Sequence, residues 1–97
     1  MKRYELTPAD GRKSFYGKAY AIEDEGKSTL YSYNTPIVSV KDNKIKPLWE
    51  GWSMTTGRHI NAFFTSLGLK QGVGKKYWTQ IQDGKINTME ELVKALN

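Results

Sequence analysis

Apolar residues follow two rhythms along this chain, and the change falls near residue 51. In the first half the alternation is strand-like. Tyr4 and Leu6 alternate with charged neighbours, and Pro8-Ala9-Asp10-Gly11 supplies a turn signal. An aromatic-rich run then predicts a strand over about 16–23, closed by the acidic turn Glu23-Asp24-Glu25-Gly26. Over 28–33, Leu30 is out of phase with Tyr31 and Tyr33, so this strand has two different faces. Asn34-Thr35-Pro36 interrupts it, and the apolar run resumes over 37–40. Asp42 and Asn43 tolerate left-handed geometry, so Lys41-Asp42-Asn43-Lys44 predicts a hairpin across 37–49. Pro47 has no backbone donor, so the last strand lies at a sheet edge or ends there.

From residue 51 onward the period becomes helical. Ile60, Phe63, Phe64 and Leu67 stand at i, i+3, i+4 and i+7, one buried stripe of a helix over about 55–67. Gly68 stands where a helix end wants a left-handed residue. Gly72 and Gly74 flank a loop, and Tyr77, Trp78 and Ile81 predict a short second helix. Met89, Leu92, Val93 and Leu96 repeat the stripe, with Thr88 and Glu91 in a capping-box spacing. Strands followed by helices predict one α+β domain over 1–97: a small antiparallel sheet of three to five strands (about 1–50), then two or three helices (about 55–97) packed on one face.

Composition narrows the chemistry. The chain has 97 residues and no cysteine, which excludes disulfides, thiolate metal sites and cysteine nucleophiles. No apolar run reaches the roughly 18 residues of a membrane span, and the N-terminus has no signal-peptide core, so a cytoplasmic protein without membrane association is expected. Fifteen Lys and Arg against ten Asp and Glu give a formal charge of +5. Between Arg58 and Lys76 there are four basic residues, the one histidine and no acid. Such a stretch suits phosphate backbones or acidic protein surfaces, and it also serves simply as a solubilising face.

Candidate functional residues gather where the first helix begins. A helix start offers unpaired N–H groups and a partial positive charge. Ser53, Thr55 and Thr56 stand there as cap or anion-contact residues, with Ser53 or Thr55 the simplest N-cap. Helical angles put Arg58 and Asn61 toward solvent and pair Thr55 with His59 at i, i+4. Gly57 lowers helix propensity by about 1 kcal/mol, which implies close approach by a neighbouring group. The glycine loop before Lys75 and Lys76 fails the P-loop pattern, because Leu69 and Lys76 stand where glycine and a hydroxyl residue are required. No cofactor is implied. A metal site lacks ligands, since a single histidine would have only carboxylates for company. A catalytic His59 would need a carboxylate from a distant strand, because no Asp or Glu lies between Glu50 and Asp83.

The run Tyr31-Ser32-Tyr33-Asn34-Thr35, followed by Trp52-Ser53-x-Thr55-Thr56-x-Arg58-His59-Ile60, resembles a family of short uncharacterised proteins of phages and other mobile elements. The resemblance covers roughly residues 30–69 and implies an accessory protein that binds nucleic acid or a host protein. On these readings the expected function is non-enzymatic binding of DNA or RNA. The helix start at 53–61 and the Lys-rich loop at 70–76 supply the contacts, through Arg58, His59, Asn61, Lys70, Lys75 and Lys76. A protein-interaction module, binding a host factor or forming part of a virion, is the alternative. A small nuclease using His59 is the third reading.

Overall fold

The computed structural model describes residues 1–8 and 15–97. Five strands form one antiparallel sheet in sequence order: β1 (Lys2–Glu5), β2 (Ala19–Asp24), β3 (Lys27–Ser32), β4 (Thr35–Lys41) and β5 (Lys44–Pro47). Three helices follow: α1 (Met54–Ser66), α2 (Lys75–Gln82) and α3 (Met89–Leu96). The α+β class and the strands-then-helices order are as the patterning predicts. The turn signal at Pro8 runs, from residue 9 on, outside the described residues.

Tight turns set the strand order. Glu25-Gly26, Tyr33-Asn34 and Asp42-Asn43 all have positive φ at both central residues, the hairpin geometry that matches strand twist. Two boundaries differ from expectation for this reason. Tyr16 (φ 55°) and Gly17 (φ 77°) make a turn, with Lys18 N–H donating to the Phe15 carbonyl, so β2 begins only at Ala19. The turn expected at 34–36 is centred on Tyr33 and Asn34 instead, and Pro36 lies inside β4 beside an irregularity at Leu30/Tyr31. Pro47 ends β5, and the sheet edge beyond it is covered. Ile45 N–H donates to the Asn87 carbonyl, and Thr88 bridges Lys44.

Alternation sorts the sheet into two faces. Ala21, Leu30 and Val38 stand opposite one another and are fully buried, with Ile45 behind them. Ile60, Phe63 and Phe64 of α1, Trp78 and Ile81 of α2 and Leu92 of α3 complete one hydrophobic cluster over this face. Burial of each large side chain of this kind contributes roughly 1.5–3 kcal/mol. The opposite face carries Tyr20 stacked on Tyr31 (5.2 Å, 6° between planes), with the Arg3 guanidinium 3.8 Å from the Tyr20 ring.

The corner between sheet and α1 is clamped from below. Trp78 Nε1–H donates to the Gly51 carbonyl, and the Gln82 amide donates to the carbonyls of Trp49 and Gly51. The indoles of Trp49 and Trp52 lie against Gly51 and Gly57, where an added Cβ would come within 2.6 Å and 2.5 Å of ring atoms. The close neighbour implied by Gly57 is therefore Trp52. No helix among the described residues is long and apolar enough to cross a membrane.

Candidate functional site at the start of α1

Ser53 caps α1. Its backbone is extended (φ −145°, ψ 159°) and its Oγ accepts from Thr56 N–H at 3.0 Å. That cap fixes the phase of the first turn. Thr56, His59, Ile60 and Phe63 face the sheet, while Thr55 is rotated into solvent. The partnership expected between Thr55 and His59 is thereby corrected: the hydroxyl near His59 on its own helix is Thr56, at i, i+3.

A residue from the sheet joins them. Ser32 Oγ lies 2.7 Å from His59 Nδ1 and 3.3 Å from Thr56 Oγ1. Ser32 stands two residues from Leu30 on the inward face of β3, so its hydroxyl needs a partner inside the protein. That out-of-place polar residue was the sequence signal for this pairing. Phe15 packs edge-on to the imidazole at 4.6 Å, and Tyr33 covers it at 5.8 Å. His59 is left 1% exposed. Burial first, then the positive charges of Arg58 and Lys18, lower its pKa from 6.5 to about 4. The ring is therefore neutral at physiological pH and presents neither positive charge nor contact surface to an anion. The Ser32–His59 pair has the spacing of a nucleophile and its base, yet Ser32 too is buried, at 3%. No hydrogen bond from an Asp or Glu side chain orients the ring among the described residues. Nor do these residues bring three potential metal-ligating His, Asp or Glu side chains together.

Above this buried bracket lies a cationic and aromatic surface. Lys18 Nζ is 5.6 Å from the Tyr33 ring, and the Arg58 guanidinium is 5.4 Å from the Phe15 ring. Tyr33 and Tyr16 are 53% and 73% exposed at the tips of their turns. Both hold positive φ, a conformation that bulky residues rarely adopt. Arg58 also lines an open hollow of about 380 Å³ with Trp52, Met54, Gly57, Asn61 and residues 72–74, and no acid is among the described residues of its walls. Asn61 Oδ1 accepts from Val73 N–H at 3.2 Å, so this side chain ties the glycine loop to α1. Lys75 and Lys76 follow immediately and are exposed. Of the expected contact residues, Arg58 and Asn61 line this hollow, while Lys75 and Lys76 open α2 just after its Gly74 wall, with Lys76 Nζ 5.6 Å from the Tyr77 ring. Lys70 stands apart, lining a second hollow with Val93, Leu96 and Asn97. As tyrosines whose rings could stack bases from an exposed sheet face, the sequence offers Tyr16, Tyr20, Tyr31 and Tyr33. Tyr16 and Tyr33 are exposed here, whereas Tyr20 is buried. Lys18, Phe15 and Ser32 were not among the residues expected from sequence.

The two segments that meet at Ser32 and His59 fall within one family match, over residues 4–80. The chain belongs to the DUF8033 family, a family of unknown function. The DUF8033 match takes in the end of β1, the other four strands, α1 and most of α2, and ends before α3. No curated protein and no solved structure matches the chain.

Proposed function

We propose that this DUF8033 protein is a non-enzymatic nucleic-acid-binding protein, an accessory factor of a phage or mobile element working in the cytoplasm. Its contact surface is the one over the start of α1. The observation that carries the reading is the position of Arg58, which packs over Phe15 on the side of Lys18 and Tyr33 and also lines the hollow whose Gly74 wall leads to Lys75 and Lys76. The cations serve phosphates, and the exposed rings of Tyr33 and Tyr16 stack bases of a single strand. His59 acts from below, as the buried peg against which Phe15 and the surface ring of Tyr33 pack.

The test is fluorescence anisotropy with labelled single-stranded RNA, single-stranded DNA and duplex DNA across a salt series. Binding is expected in the range of roughly 10⁻⁴–10⁻⁶ M, falling with salt. The substitution pair Lys75→Ala and Lys76→Ala should lower the log–log salt slope by about 2, one for each phosphate charge that the lysines no longer neutralise. Tyr33→Ala should weaken single-strand binding and spare the duplex. Absence of binding to all three probes at low salt ends this reading. It would leave the interaction-module alternative, for which the same exposed Tyr16 and Tyr33, with Met54 at 84% exposure, supply the apolar contacts.

A further inference from the structure

The outward face of the sheet, turned away from the helices, holds a second basic surface built by strand register. Lys27 stands directly opposite Lys41, and Lys41 directly opposite Lys44. Lys46 lies on the same face, opposite Ser39. The four lysines line one open groove of about 620 Å³ whose walls include the hydroxyl residues Ser39 and Thr88. Three acids lie near: Asp42 lines the groove at the hairpin tip, Asp24 is paired across from Lys27, and the Glu91 carboxylate accepts from Asn87 N–H and Thr88 Oγ1 on the groove wall. Among the described residues none of the three comes within ion-pair distance of these lysines.

Like charges directly opposite one another destabilise a sheet, so this arrangement works against folding unless a counter-charge is supplied from outside. Adjacent strands lie about 4.8 Å apart, which sets Lys27, Lys41 and Lys44 along a line of roughly 10 Å. A nucleic-acid duplex carries one negative charge per ~1.7 Å and is the matching linear polyanion. Lysines are mobile point charges without a planar fork, and no aromatic side chain lines the groove. Both features suit phosphates and neither reads bases. We infer that the β3–β4–β5 face is a second, sequence-independent contact for the duplex phosphate backbone, separate from the α1 surface and not dependent on it.

The experiment uses the full chain, a duplex DNA probe and two sets of substitutions. The hairpin set is Lys41→Ala, Lys44→Ala and Lys46→Ala, and the α1 set is Arg58→Ala, Lys75→Ala and Lys76→Ala. The hairpin set should lower the log–log salt slope for duplex by about 3, in the otherwise native chain and in the α1 set alike. Replacing the same three lysines by Arg should keep the slope, because the charge is retained. The hairpin set should melt at the same or a higher temperature than the native protein, since only like charges are removed. A slope and affinity unchanged by the hairpin set overturn the inference, and so does loss of binding in the Arg version. Binding of anionic phospholipid vesicles through these lysines, without duplex binding, overturns it as well. If the α1 set binds normally while the hairpin set does not, the α1 reading fails and this one stands.

Discussion

His59 combines full burial, one short hydrogen bond and a neutral ring, and these make its effect on stability calculable. Its folded pKa, about 4, lies below the ordinary 6.5, so between these values the unfolded chain binds the extra proton. Stability from this group is complete above pH 6.5 and is lost as pH falls toward 4, by roughly 3 kcal/mol in all. Urea unfolding at pH 7 and pH 4.5 should show the loss, and His59→Gln should flatten it. Ser32→Ala strands the His59 Nδ1 and Thr56 Oγ1 bonds inside the protein and should cost about 1–3 kcal/mol at pH 7. Gly57→Ala is a second residue-scale test. Helix propensity alone favours alanine by about 1 kcal/mol. The Trp52 indole leaves no space for its methyl group, so the variant should unfold at lower urea than the native protein.

Among the elements, α3 depends most on its ends. It has eight residues, and only Leu92 is fully enclosed by the core. Thr88 Oγ1 accepts from Glu91 N–H at 3.0 Å, while the Glu91 carboxylate reaches back to Asn87 N–H at 2.9 Å. The β4–β5 turn supplies further anchors, with Met89 N–H donating to the Asn43 carbonyl and Glu90 N–H to Asn43 Oδ1. Thr88→Ala should therefore cost about 1 kcal/mol, with amide exchange rising first in α3. The capping box was readable from two residues three apart, and the Asp42-Asn43 hairpin from two adjacent ones, because the interactions that form them are local. Tyr33 was not readable as a turn residue. A bulky aromatic ring has no local preference for positive φ, and what holds it there is the hairpin around it and the imidazole beneath it. The start of β2 was misplaced for a similar reason, since Tyr16 reads as a strand residue yet occupies a turn.

Over the whole molecule the question is where the positive charge goes. Linear spacing singled out 58–76 as the acid-free run, and the fold keeps only part of it together, around the hollow below Arg58. Lys70 is drawn to the far end of α3, and Lys18 arrives from the turn before β2. A second group of lysines lies across β3, β4 and β5: Lys41, Lys44 and Lys46 come from one hairpin, and register sets the distant Lys27 opposite Lys41. Screening offers a whole-molecule check. If both surfaces bind phosphates, the native log–log salt slope should exceed that of either substituted set, and the two decrements should add.

Taken alone, the amino-acid sequence determined the α+β class, the hairpin at Asp42-Asn43, the stripe of α1 and the cap of α3. Each rests on periodicity or on bonds between near neighbours, which the chain carries with it. Tertiary structure decided that Thr56, not Thr55, faces His59, that Ser32 completes the bracket, and that one basic surface lies over α1 and another on the open face of the sheet. These depend on how α1 is rotated against β3 and on which residues stand opposite one another across strands. Only long-range packing sets such relations, through the need to satisfy buried polar groups and to bury one face of each element.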